Sequence, residues 1–299
     1  MSDKEFAPDY ERDSQDRVLF PRDTSLRDLL FPFSDSTIHI AKQNMLMVRE
    51  QVKFVSEVGE TILDPFAGTG TILVALTVGR NVMMIELEEP FQKAIEQNIK
   101  GIGRTVPDAD SMVMLIPGDS TKILPLPVGI FQHTVFSPPY PMGLKKKGEM
   151  DKTSVDLGYD SATEYSANPE NLTNLNSFFY HQKMEVFYRK CLQSLPEGGT
   201  MTVIIKDRME QGKRMMQADR TERDCLRLGF ELVARNKWFA RGGGYSAINR
   251  AAGLETVDEE DLITLRKPLP ETNYYHAAEE WIKEAVPYAK EASCYAKSY

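Results

Sequence analysis

Cysteine, tryptophan and long apolar runs are scarce in this sequence, and each scarcity excludes something. Three cysteines in 299 residues, Cys191, Cys225 and Cys294, are odd in number and far apart. That argues against a disulfide framework and against a zinc site. Cys191 and Cys225 fall inside helical patterns, where a cysteine serves as a small core residue. No apolar run approaches the roughly 20 residues that a bilayer span needs. The start, MSDKEFAPDYERDSQDR, is polar and acidic and has no apolar stretch of the signal-peptide kind. Four histidines, His39, His133, His181 and His276, show no ligand spacing and read as structural. A cytoplasmic protein is expected, with no membrane and no metal among its partners.

Positive charge is in deficit. The formal net charge is -8, which weighs against a broad nucleic-acid-binding surface. The deficit is uneven. Residues 206–250 carry eleven Lys/Arg against six Asp/Glu, while the first thirty carry eight acids against five bases. A locally basic face on an acidic protein is therefore compatible with the composition.

Strands alternate with helices along most of the chain. TILD (61–64), NVMMIE (81–86), SMVMLI (111–116), HTVF (133–136) and TMTVIIK (200–206) read as buried strands. The spacing Met45, Val48, Val52, Val55 predicts a helix, and the apolar TILVALTVG a buried one. Further helices are expected over PFQKAIEQNIKG, around Met184–Leu195, over 216–228 and around 277–289. ELVARNKWFA (231–240) and DLITLRK (261–267) read as a final pair of strands. This pattern predicts an α/β fold of the Rossmann-like kind, a mostly parallel sheet with an antiparallel hairpin at one edge. Residues 1–35, with scattered charge and Pro8, Pro21 and Pro32, read as an extended arm, and 269–299 as a helical tail. Residues 141–176 are polar and aperiodic, too long for an ordinary connection, and read as a functional loop.

In such sheets ligands bind at the carboxyl ends of the strands. Asp64, Glu86, Asp119 and Ser137 all stand at or just after expected strand ends. In DPFAGTGT (64–71), Gly68 and Gly70 allow a tight turn and a close backbone approach to a ligand. A glycine pair alone is also found in purely structural turns. The dinucleotide pattern fails because Leu73 stands where a third glycine belongs, and no Gly-Lys-Ser/Thr follows for a P-loop. Asp64 offers a carboxylate to a cationic or hydroxylated ligand. Glu86, sixteen positions after Gly70, suits a ribose diol, and Asp119 an adenine amino group. A ligand with ribose, adenine and a positive, phosphate-free end matches S-adenosylmethionine.

SPPY (137–140) poses a different chemistry. Two prolines fix φ and remove two backbone donors, leaving rigid carbonyl acceptors beside a hydroxyl. An amino group in search of acceptors suits Ser137 Oγ and the Pro138 carbonyl. Tyr140 offers a flat face on which a base can stack. A base in a duplex would have to be flipped out to reach them. The same prolines also suit a rigid exit from a strand.

With these residues in view, the sequence resembles the amino-methylating DNA methyltransferases, which modify N4 of cytosine or N6 of adenine. DPFAGTGT resembles their cofactor motif I, MMIELE (83–88) motif II, PGDS (117–120) motif III, and SPPY the catalytic motif IV. IHIAKQNMLMVREQV (38–52) resembles the motif X helix. LPEGGTMTVIIKD, KWFA and EEDLITLRKP resemble the closing half, so the likeness spans roughly residues 36–268. It implies a site-specific enzyme with S-adenosylmethionine held by Lys42, Asp64, Pro65, Phe66, Ala67, Gly68, Thr69, Gly70, Glu86, Asp119 and Ser120. It implies direct methyl transfer at Ser137, Pro138, Pro139 and Tyr140, without a metal. No Pro-Cys pair of the C5-cytosine type occurs. Serine at 137 is commoner in the N4-cytosine members, which favours that base over adenine.

The resemblance is incomplete at two places. His39-Ile40 stands where motif X usually shows His-Pro, although Lys42 is kept. The order X, I, IV leaves only about thirty residues after the last strand for target recognition. Contact with DNA therefore falls to Lys145, Lys146 and Lys147 in the polar loop, to the basic 206–250 region, to a specificity partner or to a second copy in a homodimer. A restriction-modification system, a phage or a solitary regulator would all suit such an enzyme. An RNA base amino-methyltransferase and a catalytically silent DNA-binding accessory protein are the alternatives.

Overall fold

In the computed structural model, residues 4–32, 43–106, 111–140, 171–210, 213–240, 251–253 and 255–270 are described. Lys42, the lysines at 145–147, most of the 141–176 loop and the tail helix around 277–289 lie outside them.

The elements, in chain order, are α1 (Thr24–Leu30), α2 (Met45–Val55), β1 (Thr61–Asp64), β2 (Asn81–Glu86), α3 (Glu89–Thr105), β3 (Val113–Pro117), α4 (Ser120–Ile123), β4 (His133–Phe136), α5 (Ser177–Ser194), β5 (Thr200–Ile205), β6 (Arg208–Glu210), β7 (Lys213–Met215), α6 (Gln217–Arg227), β8 (Glu231–Phe239) and β9 (Glu259–Arg266). Seven strands form one sheet in the order β3-β2-β1-β4-β5-β9-β8. β1 to β5 pair in parallel, while β9 runs antiparallel to both β5 and β8. β6 and β7 make a separate two-stranded hairpin directly after β5.

Period-two alternation splits the sheet's side chains between two cores. Ile62, Val82, Met84, Val135, Ile204 and Leu262 bury against α2, α3 and the segment 71–78. Leu63, Met83, Ile85, Phe136, Val203 and Ile263 bury against α5 and α6. Burial on both faces explains why these strands read as unbroken apolar runs. A buried polar link crosses the first interface. Gln51 of α2 donates to Thr202 Oγ1 of β5 at 2.8 Å and to Thr264 Oγ1 of β9 at 3.0 Å.

The buried helix expected over TILVALTV (71–78) is a 3-10 helix, bounded by Gly70 and Gly79, both left-handed. It is apolar on all sides, so no amphipathic period marked its type. The arm, expected to be extended and separate, is folded onto the domain. Phe6, Ala7, Val18, Phe20, Leu30 and Phe31 are buried in the first core. Phe6 meets Phe20 and Phe54 edge-on, and Phe20 meets Trp238. Val18 bridges in parallel to Trp238, adding backbone bonds to the exposed edge of β8. Aromatic burial outweighs the ordering cost that the charges and prolines had suggested.

Cys191 and Cys225 are free and buried, as expected. His133 is buried, its Nδ1 2.8 Å from Thr200 Oγ1 and its Nε2 3.1 Å from Glu60 Oε2. No helix among the described residues is long and apolar enough to cross a membrane. Among them no cluster of side chains could hold a metal ion.

Candidate active site

Strand order reverses beside β1, where β2 leads one way and β4 the other. That is where a parallel sheet opens a crevice at its carboxyl ends. A cleft open to solvent lies there. Its wall contains Asp64, Pro65, Phe66, Ala67, Gly68, Thr69, Glu86, Asp119, Ser120, Ser137, Pro138, Pro139 and Tyr140. Of the described residues predicted for the site, only Gly70 is missing from that wall.

Backbone geometry shapes the glycine loop. The Ala67 N–H donates to Ile85 O at 3.2 Å, and Gly70 N–H to Ala67 O at 2.8 Å. The buried Asn98 of α3 donates to Thr69 O at 2.8 Å, pinning the loop from behind. Gly68 and Gly70 have φ of 54° and 81°. A Cβ on Gly70 would lie 3.2 Å from both Ile95 Cγ1 and Leu73 Cδ1. Gly70 thus makes the turn and packs closely against Ile95 and Leu73.

Two acids in the cleft are buried. Asp64 Oδ1 accepts from the Phe66 N–H at 3.0 Å. Glu86 Oε2 accepts from Gly68 N–H at 2.7 Å and its Oε1 from Glu88 N–H at 2.8 Å, leaving further lone pairs on each oxygen. The acid thereby ties β2 to the glycine loop, a structural role the sequence did not show. Burial pushes the Asp64 carboxyl up to about 7, against the Phe66 N–H and with help from the charge of Glu86. Burial likewise takes Glu86 to about 7, against the Glu88 and Gly68 N–H groups. The described wall contains no lysine or arginine to offset these charges. A cationic ligand bearing hydroxyls would supply what both carboxylates lack.

Asp119 caps α4, its Oδ1 accepting from Thr121 N–H at 2.9 Å and Thr121 Oγ1 at 2.7 Å. Its other oxygen remains for a ligand. Opposite, Asn171 donates to Glu88 Oε1 at 2.9 Å.

Gln43, which sequence reasoning passed over, also lines the cleft. Its amide nitrogen is buried without a hydrogen-bond partner among the described residues. Such a donor is costly unless a ligand accepts from it. The folded arm fixes its position. Arg27 donates to the Gln43 carbonyl at 2.8 Å and to Asp23 Oδ2 at 2.8 Å, and Asp23 accepts from Met45 N–H at 2.9 Å. Gln43 sits one residue before Asn44, the N-cap of α2, whose side chain accepts from Leu46 and Met47 N–H. A polar residue beside Lys42, just ahead of a capped helix, was the available signal.

At the far wall, β4 delivers Ser137–Tyr140. Pro138 is buried, and Ser137, Pro139 and Tyr140 are half-buried. The Lys206 N–H, at the end of β5, donates to the Tyr140 hydroxyl at 2.7 Å. Burial pushes the Tyr140 phenol well up, so it stays protonated. Phe66 packs against Phe136 and Phe187 at centroid distances of 5.6 and 4.8 Å, joining the floor of the cleft to the second core. The cleft thus has a cofactor-like half built by β1, β2 and β3 and an acceptor-lined half built by β4 and β5.

No curated protein sequence matches the chain. Among solved structures, the chain is similar to the [4+2]-cyclase SpnF (15% identity, 85% of this chain and 99% of that one, TM-score 0.50). It is also similar to the glycopeptide N-methyltransferase MtfA complexed with S-adenosylmethionine (14%, 83% and 100%, 0.45). TrmN from Thermus thermophilus matches at 15% identity over 79% of this chain and 52% of its own, with a TM-score of 0.45. Identities this low speak of fold alone, and the fold is Rossmann-like. Residues 8–97 match the family model described as DNA methylase, a stretch that includes the folded arm, DPFAGTGT and Glu86 and stops before Ser137. Within that segment the chain is similar to the N6/N4 DNA methylases.

Proposed function

We propose that the chain transfers a methyl group from S-adenosylmethionine to the exocyclic amine of a DNA base flipped from its helix, N4 of cytosine being favoured over N6 of adenine. One observation carries this reading: a single cleft joins buried, cation-seeking carboxyls at Asp64 and Glu86 to the acceptor-rich Ser137–Tyr140 turn.

The residues fit the cofactor. Among the described residues, Glu86 and Asp119 keep free lone pairs for hydroxyl and amino donors, Asp64 lies buried without a counter-charge, and Gln43 holds an unused amide donor. When bound, the cofactor supplies an activated methyl on a sulfonium. The chain's own part is positioning. Ser137 Oγ and the Pro138 carbonyl accept from the amine's two N–H bonds, which turns its lone pair toward the cofactor half. Pro138 and Pro139 contribute no competing backbone donor and keep both acceptors rigid. Tyr140, tethered through its hydroxyl, presents its ring beside them. Positioning of this kind is worth several kcal/mol of barrier. The preference for cytosine rests on the serine at 137. The setting proposed is a cytoplasmic modification enzyme.

Nucleoside mass spectrometry of DNA from a host without amino-methylation of its own, with and without the expressed protein, tests the proposal. N4-methylcytosine is expected. N6-methyladenine would keep the reaction and overturn the reading of Ser137, and unmodified DNA would overturn the DNA substrate.

A further inference from the structure

The topology fixes which side the substrate must come from. The cofactor-like half of the cleft is flanked by β2 and β3, and the acceptor-lined half faces β5. Two elements crown that second side. α5 descends from it to β5, so its first turn stands on the rim. The β6–β7 hairpin rises from it directly after β5.

The first turn of α5 presents two large aromatics to solvent. Phe178 is 64% and Phe179 54% exposed, and their rings meet edge-on at 5.4 Å. They are the two most exposed aromatic side chains among the described hydrophobic residues. Exposed aromatics in contact cost solubility and contribute nothing to the core, so they mark a docking surface. Tyr180, next in the helix, turns inward into the second core alongside Tyr140. Two lysines near the pair, Lys183 and Lys213, are exposed, and the hairpin carries Arg208 and Lys213 against Glu210, its Arg214 being paired with Asp207 and Glu259. Arg208 lies within electrostatic reach of Tyr180 and His181, which ties the hairpin to the same rim. Met215 and Met216 add exposed apolar surface beside it.

An aromatic pair inside a basic rim, beside a site that needs an extruded base, fits duplex DNA. We propose that Phe178 and Phe179 form a wedge that enters the helix at the step the target base leaves, while Lys183, Arg208 and Lys213 hold the flanking phosphates. This rests on the DNA reading above. Apolar wedges offset part of the cost of unstacking, and the phosphate contacts hold the register.

The test uses the full chain. The wild type first locates its methylated site on plasmid DNA of mixed sequence. Two oligonucleotide duplexes then carry that site, one with the target base paired and one with it opposite an abasic position. Phe178→Ala/Phe179→Ala is expected to lose roughly 10- to 100-fold in kcat/KM on the paired duplex. On the abasic duplex, where the base is already unpaired, it should come within about threefold of wild type. Cofactor affinity and thermal melting should not change. Equal loss on both duplexes, or no loss on either, overturns the wedge. Should the wild type label no plasmid DNA, the proposed function fails before the wedge is tested, so the two failures are distinguishable.

Discussion

Raising the pH of the cofactor-free protein should weaken it, and Asp64→Asn should remove much of that weakness. Burial lifts Asp64 from 3.8 and Glu86 from 4.5 to about 7 each. A carboxyl whose pKa is raised by folding adds stability that is complete below its unfolded pKa and lost as pH rises through the folded value. The losing window therefore runs from about 4 to about 7. At about 1.4 kcal/mol per pH decade, Asp64 alone accounts for about 3 kcal/mol between pH 5 and pH 8. His133 works against this trend, because burial lowers its pKa and its contribution grows as pH rises. Asparagine keeps the oxygen that accepts from the Phe66 N–H while losing the ionisation. Urea unfolding at pH 5, 6, 7 and 8 should show the variant's advantage over wild type growing by about 2–3 kcal/mol from pH 5 to pH 8. Cofactor affinity should fall in the same variant, since a cation would lose its carboxylate. Parallel pH profiles for variant and wild type would refute the assignment of a costly buried charge at Asp64.

Three further outcomes follow from the cleft. Gln43→Ala should weaken S-adenosylmethionine binding about tenfold by calorimetry, the worth of one hydrogen bond to a charged acceptor, while KM for DNA stays put. Ser137→Ala should lower kcat roughly 10- to 100-fold with cofactor affinity unchanged, because one of two acceptors for the amine is gone while the Pro138 carbonyl remains. Gly70→Ala, forced to φ 81° and into 3.2 Å contacts with Ile95 and Leu73, should lose about 2–3 kcal/mol of stability in chemical denaturation.

Much of the site was legible because its parts sit at strand ends. β1, β2 and β4 occupy the predicted residues, since short apolar runs closed by Asp64, Glu86 and Ser137 admit few other readings. Other features depend on contacts between distant residues. Phe6, Tyr10 and Phe20 follow no period, so nothing local announced that Phe6 meets Phe54, that Tyr10 meets Phe20 or that Phe20 meets Trp238. The strands Arg208–Glu210 and Lys213–Met215 are three residues each, with no alternation to betray them. Gln43 is a cleft residue only because Arg27 and Asp23, far back in the arm, hold it there. Asp119 looked like a free carboxylate, and half of it is spent capping a helix too short to be seen in the sequence.

The arm's bridge to β8 also bears on the order of synthesis. Val18 leaves the ribosome early, yet its strand partner, Trp238, is 220 positions away, and Glu259, which pairs with Arg17, is later still. Phe20 therefore has no Trp238 to pack against until more than two hundred further residues have been made. The segment around Val18 settles long after it is made, and its docking covers the edge of β8, which could otherwise add strands from a neighbouring nascent chain.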